Sequence, residues 1–478
     1  MTAPEVEVAR WQRTFFNMLE EFFARAYKTD IYAITPNFGA WIRTNVTHFG
    51  PTLASGYQWI FDQLAEYYEE TRKAGVFGLG KRLGGVKLVL GGSSRFNEAQ
   101  LSSVRKMVLY SDTILIPDPI LPWIEAQREE ERFRDVLMAE NAYYLLHLKP
   151  LIDADLPYPP VVVFPSWEKT LEAQDPQTKE GQELLVTGVL SVELGCKFGN
   201  FSELLTFASD KPSEFLTGVD QKRLLVGPGG KPGAPLETSL RLYEEEIHRW
   251  RSAEHQKWIS KLSPSKLVLN GLLERIEPMY HLFENAEELV ANPMLPLEVH
   301  WHYYRLCSRF FEKRLNDLGL LEERVMAEIQ ALEAPSHEWL GDLPIKDLVE
   351  LRRRGQNELF RTRMREFTSA LQASSFADLN RVSSEINRAI SALILEHQTT
   401  IREIQERYQR HALNTALLTA VTVAAKLVPT LAPLLGGMAI LAPAGKLAWD
   451  TLSRRLDQRK ASRSLMGILA EGRKKDGA

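Results

Sequence analysis

Cysteine is nearly absent: Cys196 and Cys307 are the only two in 478 residues, far apart and without Cys-x-x-Cys spacing. Two thiols are too few for a disulfide framework, so a reducing compartment and unbridged thiols are expected. A basic excess is missing as well. The 58 Lys and Arg face 62 Asp and Glu, a net charge of −4. No global field draws such a chain onto nucleic acid, which is not an expected partner. The opening residues Met-Thr-Ala-Pro-Glu-Val-Glu lack a basic start and a following apolar run. The expectation is therefore no secretory signal and a cytoplasmic location. Up to residue 400 no stretch is long and apolar enough to span a bilayer.

What is present is globular: 44% hydrophobic and 25% charged residues, in a chain long enough for roughly two to four folding units. The expected class is α+β, mainly α. Residues 1–170 read as a small α/β unit with a parallel sheet. From Val6 to Tyr27 the apolar stripe Val8, Trp11, Phe15, Leu19, Phe22, Phe23 and Ala26 predicts an amphipathic helix that packs on a core. Short apolar runs then alternate with helical patterns. The runs are Ile31–Thr35, Val86–Leu90, Thr113–Pro117 and Val161–Phe164, with helices expected at Leu53–Lys73, Asn97–Tyr110 and Leu121–Leu148. This order implies parallel strands covered by helices.

Residues 171–345 read as a helical domain, broken by the Gly/Pro loop at 226–236. Residues 346–410 hold an arginine-rich helix and a coiled-coil-like arm. Its seam runs Leu379, Val382, Ile386, Ile390, Leu393, His397, Ile401, Ile404 and Tyr408, so a protein partner or a second copy is expected along 376–410. Residues 411–449 form an apolar segment, read as a hairpin, in which Lys426 is the one formal charge between Ala412 and Gly445. The tail at 450–478 is basic. From Lys446 onward nine basic residues oppose four acidic ones, a local charge of +5 on a negative chain.

No catalytic motif is complete. Gly75-Val76-Phe77-Gly78-Leu79-Gly80-Lys81 matches the start of a phosphate-binding P-loop, but Arg82 replaces the Ser or Thr that holds magnesium, and the helix precedes the strand. A flexible basic turn is expected there. Gly91, Gly92, Ser93 and Ser94 lie between an apolar strand and a helix, where backbone N–H groups can meet an anion. The competing reading is a plain turn with Ser94 capping the helix. Asp118 follows the third apolar run and Asn37 the first, so both are candidates for the carboxyl ends of strands, where open α/β sheets bind ligands. The plain reading of Asp118 is a cap on the helix from Leu121.

Metal signals are thin. Glu245-x-x-His248 has no second copy, and His300-x-His302 sits in a helical pattern. No metal and no cofactor are expected. Arg352, Arg353 and Arg354 open an arginine run that could grip phosphate, although Glu350, Glu358 and Glu366 are placed to pair with it.

Three functions follow. The first is an effector or binding protein that touches anionic membrane lipid through Leu427, Leu434, Leu435 and Ile440, with Lys446, Arg454 and Arg455 at the headgroups, peripheral at the inner face of the membrane. Bacterial toxins and immune effectors share this layout, and only the layout suggests a defence or stress role. The second is an enzyme or sensor that holds a phosphorylated or nucleotide-like ligand in the α/β unit. The third is an oligomeric scaffold in which the apolar segment is buried.

Overall fold

The computed structural model describes residues 3–34, 38–45, 50–91, 95–108, 111–125, 131–166, 168, 174–251, 253–317 and 345–353, with Glu358, Arg361, Thr362 and Glu366. The coiled-coil-like arm, the apolar hairpin and the basic tail expected at 376–410, 411–449 and 450–478 lie outside them. The described chain is mainly helical with one small sheet, the α+β class read from the sequence.

The first unit comprises residues 1–170 with 289–291 and 337–366. Its helices are α1 (Ala3–Ala26), α2 (Phe38–Asn45), α3 (Gly50–Ala74), α4 (Val76–Arg82), α5 (Glu98–Met107), α6 (Leu121–Glu125), α7 (Glu131–Leu146) and α8 (Lys149–Ile152). Strands β1 (Lys87–Leu90), β2 (Thr113–Pro117) and β3 (Val161–Phe164) are parallel, with Leu88 opposite Ile114 and Leu115 opposite Val162. Within this unit the strand order is β3-β2-β1. β1 and β3 are buried along their whole length, which is why they read as continuous apolar runs and not as alternation.

The stripe of α1 does face a core. Val8, Phe15, Leu19, Phe22, Phe23 and Ala26 are buried, and α1 packs along α3. Gly56 makes that approach possible, because a Cβ there would lie 2.6 Å from the Ala26 backbone. Aromatic pairs knit these helices: Phe22 of α1 meets Tyr57 of α3 edge-on at 4.9 Å, and Phe38 of α2 stacks on Tyr143 of α7 at 5.2 Å. Gln12, on the same stripe, turns its carboxamide to β3. It donates to the Val163 carbonyl at 2.8 Å and accepts the Val163 N–H at 2.7 Å, as a neighbouring strand would.

Two local expectations change. Ile31–Ala33 is a single 3₁₀ turn, not a strand, because Asp30 Oδ1 accepts the Tyr32 N–H at 2.8 Å and closes the chain into a turn. Gly75–Lys81 is not a flexible turn. Gly75 takes a left-handed φ of 64° and starts α4, whose Val76, Leu79 and Gly80 are buried.

The second unit carries the helices α9 (Pro176–Leu194), α10 (Phe201–Asp210), α11 (Pro212–Gln221), α12 (Leu236–Trp250), α13 (Ala253–Ile259), α14 (Pro264–Glu288) and α15 (Glu298–Asp317). Helices α9, α14 and α15 pack on one another. Gly181 and Gly188 let them close, since a Cβ at either would lie 2.5 Å or less from the Tyr280 or Phe310 ring. The Gly/Pro stretch between α11 and α12 is a loop of tight turns, as its composition requires. Cys196 and Cys307 are unbridged. Among the described residues no helix is long and apolar enough to cross a membrane.

Candidate functional site

The carboxyl ends of β1 and β2 are where the sequence places ligand chemistry. Asp118 follows β2 and is 4% exposed. Its N–H donates to the Phe164 carbonyl at 2.8 Å, which extends the β2–β3 ladder by one bond. Oδ1 accepts the N–H groups of Ile120 and Leu121 at 2.8 and 3.2 Å, at the entry to α6. Oδ2 accepts the Tyr68 hydroxyl at 2.7 Å. The adjacent Tyr67 phenol is pushed up by burial, with the Asp118 charge adding to the shift. The carboxylate is thus engaged within the fold on both oxygens.

The turn after β1 is tied down similarly. Gly91 is buried, while Gly92, Ser93 and Ser94 lie outside the described residues, as does Asn37. The cap of α5 is Asn97, not Ser94. Asn97 Oδ1 accepts the Ala99 N–H at 2.9 Å and its own N–H donates to Gln100 Oε1 at 3.2 Å, a reciprocal capping box. Asn141 of α7 joins the two turns. Its Oδ1 accepts the Phe96 N–H at 2.7 Å and its Nδ2 donates to the Pro119 carbonyl at 3.3 Å. Sequence reasoning missed Asn141, whose one signal is a polar residue amid the apolar face of α7. Phe96, Ile120 and Leu121 are buried around this end.

The opposite, amino ends of the strands hold more charge. Asp112, just before β2, accepts the Val86 N–H on Oδ2 at 2.7 Å and faces Arg361 Nε at 3.3 Å with Oδ1. Lys87 opens β1, and its buried ammonium donates to the Gly80 and Lys81 carbonyls at 3.2 and 2.8 Å, in the last turn of α4. Burial, then the Lys81 charge, lowers its pKa to about 8.

Arg352 requires a correction. It lies on α16 (Ile345–Arg353) and is 7% exposed, not displayed to solvent. Its guanidinium donates to the carbonyls of Val108, Ser111 and Asp112 at 2.7, 2.6 and 3.1 Å, just beyond the C-terminus of α5. Those bonds compensate its burial, and Arg352 is a tie within the first unit, where the sequence offered a phosphate grip or an ion-paired surface. Burial, then the Arg361 charge, lowers its pKa to about 10, so it stays cationic at neutral pH. Arg353 is exposed, and Arg354 lies outside the described residues. Position was the available signal: Ile345, Leu348, Val349 and Arg352 share one helical face.

Among the described residues no group of three or more His, Cys, Asp or Glu could hold a metal ion. A small cleft lies elsewhere, beside Gln12, Arg13 and Pro160 near the start of β3, with room for about one water. Leu427, Leu434, Leu435, Ile440, Lys446, Arg454 and Arg455 lie outside the described residues. Comparison with known proteins finds no family model, no curated protein and no solved structure that matches this chain.

Proposed function

We propose that the protein acts by binding, as an effector that meets anionic lipid at the inner face of a membrane through residues 412–445. The observation that carries this reading is the sequence of that stretch. It holds Lys426 as its one formal charge and is bracketed by Arg410 before it and Lys446, Arg454 and Arg455 after it. Ala412–Ala425 would reach about 21 Å as a helix and Leu427–Gly445 about 28 Å. Both fall short of a hydrocarbon core of about 30 Å, and Pro429, Pro433, Pro443 and Gly436-Gly437 interrupt the second limb. A shallow hairpin suits these lengths better than a span. Binding is favoured over catalysis because, among the described residues at the carboxyl ends of β1 and β2, Asp118 and Asn141 are engaged by the Tyr68 hydroxyl and the Phe96 N–H within the fold.

The test is flotation of the full chain with vesicles containing phosphatidylserine, against the Leu435→Asp plus Ile440→Asp double variant. Lipid contact predicts that wild type floats and that the folded variant stays at the bottom of the gradient. Wild type that never floats, with a variant that unfolds, would mean the segment belongs to a protein core.

A further inference from the structure

The chain leaves the first unit near residue 170 and, apart from residues 289–291, supplies it again only at 337–366, more than 150 residues later. What returns is a short amphipathic helix with two buried arginines. Ile345, Leu348 and Val349 of α16 are buried, and the helix packs against α8. Arg352 then reaches the three carbonyls that follow α5, and Arg361, 3% exposed, pairs with the equally buried Asp112. Glu358, exposed, takes a second bond from Arg361.

We infer that α16, with Arg352 and Arg361, forms a detachable strap that closes the amino end of the sheet, and that its release is a local opening distinct from unfolding of the unit. The attachment is mainly polar. Only a few apolar side chains anchor the nine-residue helix; the rest of the attachment is the Arg352 guanidinium on backbone carbonyls and the buried Arg361–Asp112 ion pair. Burying charge offsets much of what the ion pair contributes, so such a contact opens more readily than a packed strand separates. Once detached, a helix this short is marginal in water and loses its hydrogen bonds.

Asp112 gives the strap its leverage. The same carboxylate that meets Arg361 also holds the Val86 N–H, while the Val86 carbonyl accepts the Asp112 and Thr113 N–H groups at 2.8 and 3.2 Å. The residue therefore joins the start of β1, the start of β2 and the strap. Gly85, with φ +82° and no room for a Cβ beside Asp112, makes that joint possible.

Hydrogen exchange of the full chain, read by peptide mass spectrometry, tests it. In wild type the amides of 345–353 should exchange at least tenfold faster than those of β1–β3. Arg352→Met should speed exchange in 345–353 and in 106–113 a further tenfold or more, leaving α9 and α14 unchanged. Asp112→Asn keeps an acceptor for Val86 and removes the charge that faces Arg361, so it should speed exchange around 358–366 even if Arg352→Met fails to fold. Equal rates in α16 and the strands of wild type, or strap exchange unaltered by Asp112→Asn, would overturn the inference.

Discussion

At the carboxyl ends of the strands one carboxylate, Asp118, meets a phenol 50 positions away and two N–H groups of the next turn. At the amino ends Arg352 comes from 244 positions away to bind the carbonyl of Val108, and Arg361 pairs with Asp112. The contacts described at one end all come from elements of the first 170 residues. The other is sealed by a segment that arrives late and brings charge with it. Open α/β sheets offer their carboxyl ends to ligands, and among the described residues at that end Asp118 and Asn141 are held by the protein's own contacts. Charge and a separable element are found at the amino end instead.

The most damaging test of this contrast is Asp118→Ala. It strands the Tyr68 hydroxyl and the Ile120 and Leu121 N–H groups in a buried place, and should destabilise the first unit by about 3–5 kcal/mol. Exchange of the β1–β3 amides should then accelerate by a factor of about 10² to 10⁴. If the variant kept wild-type protection and instead lost thermal stabilisation by inorganic phosphate or a nucleotide, Asp118 would be a ligand group and the contrast between the ends would collapse.

A smaller effect is expected at the amino end from Gly85→Ala. The backbone there is left-handed, and a Cβ would lie 2.5 Å from Asp112 Oδ2 and 2.7 Å from its Cβ. Strain and a displaced carboxylate together should cost about 2–3 kcal/mol. Gly75→Ala is the control, because Gly75 is also left-handed but nothing lies within 4 Å of its Cβ position. It should cost about 1 kcal/mol. Urea midpoints of the two variants that coincide would show that Gly85 matters for its φ alone and not for the Asp112 joint.

The same contrast explains what could be read from the sequence. The runs at 86–90, 113–117 and 161–164 were legible because strands buried on both faces are apolar throughout, and the strands indeed fall within them. Ile31–Thr35 misled because a β-branched and aromatic composition says nothing of a preceding Asp30 that closes a turn. Helix α4 was hidden by its glycines. The contacts of Asp118 with the start of α6 were legible as a cap, since both partners are local. Tyr68, Asn141 and Arg352 were not, because periodicity reports which face of a helix is buried but not which distant carbonyl or carboxylate a polar side chain on that face will meet. Arg352 was read as part of a charged run, although its place seven residues after Ile345 put it on the buried face.

The subtlest test concerns Lys87, the other cation at the amino end. Its pKa falls from 10.5 to about 8, first through burial and then through Lys81. The folded protein therefore releases this proton before the unfolded chain does. Between about pH 8 and 10.5 the unfolded chain binds more protons, so this group's contribution to stability rises with pH across that window. Below pH 8 both states are protonated and the whole penalty is present, at most about 3 kcal/mol. The bonds to the Gly80 and Lys81 carbonyls at the end of α4 oppose it. Lys87→Met removes penalty and bonds together, and should change stability at pH 7 by no more than about 1 kcal/mol. From pH 8 to 10 wild type should gain about 2 kcal/mol on the variant. The window ends there because buried phenols such as Tyr27 and Tyr67, whose pKa values burial raises, act in the opposite sense at higher pH. Urea unfolding of both proteins at pH 7, 8, 9 and 10 checks it. Stability profiles that run parallel would show that Lys87 titrates normally, leaving Arg352 and Arg361 as the cations whose burial distinguishes the amino end.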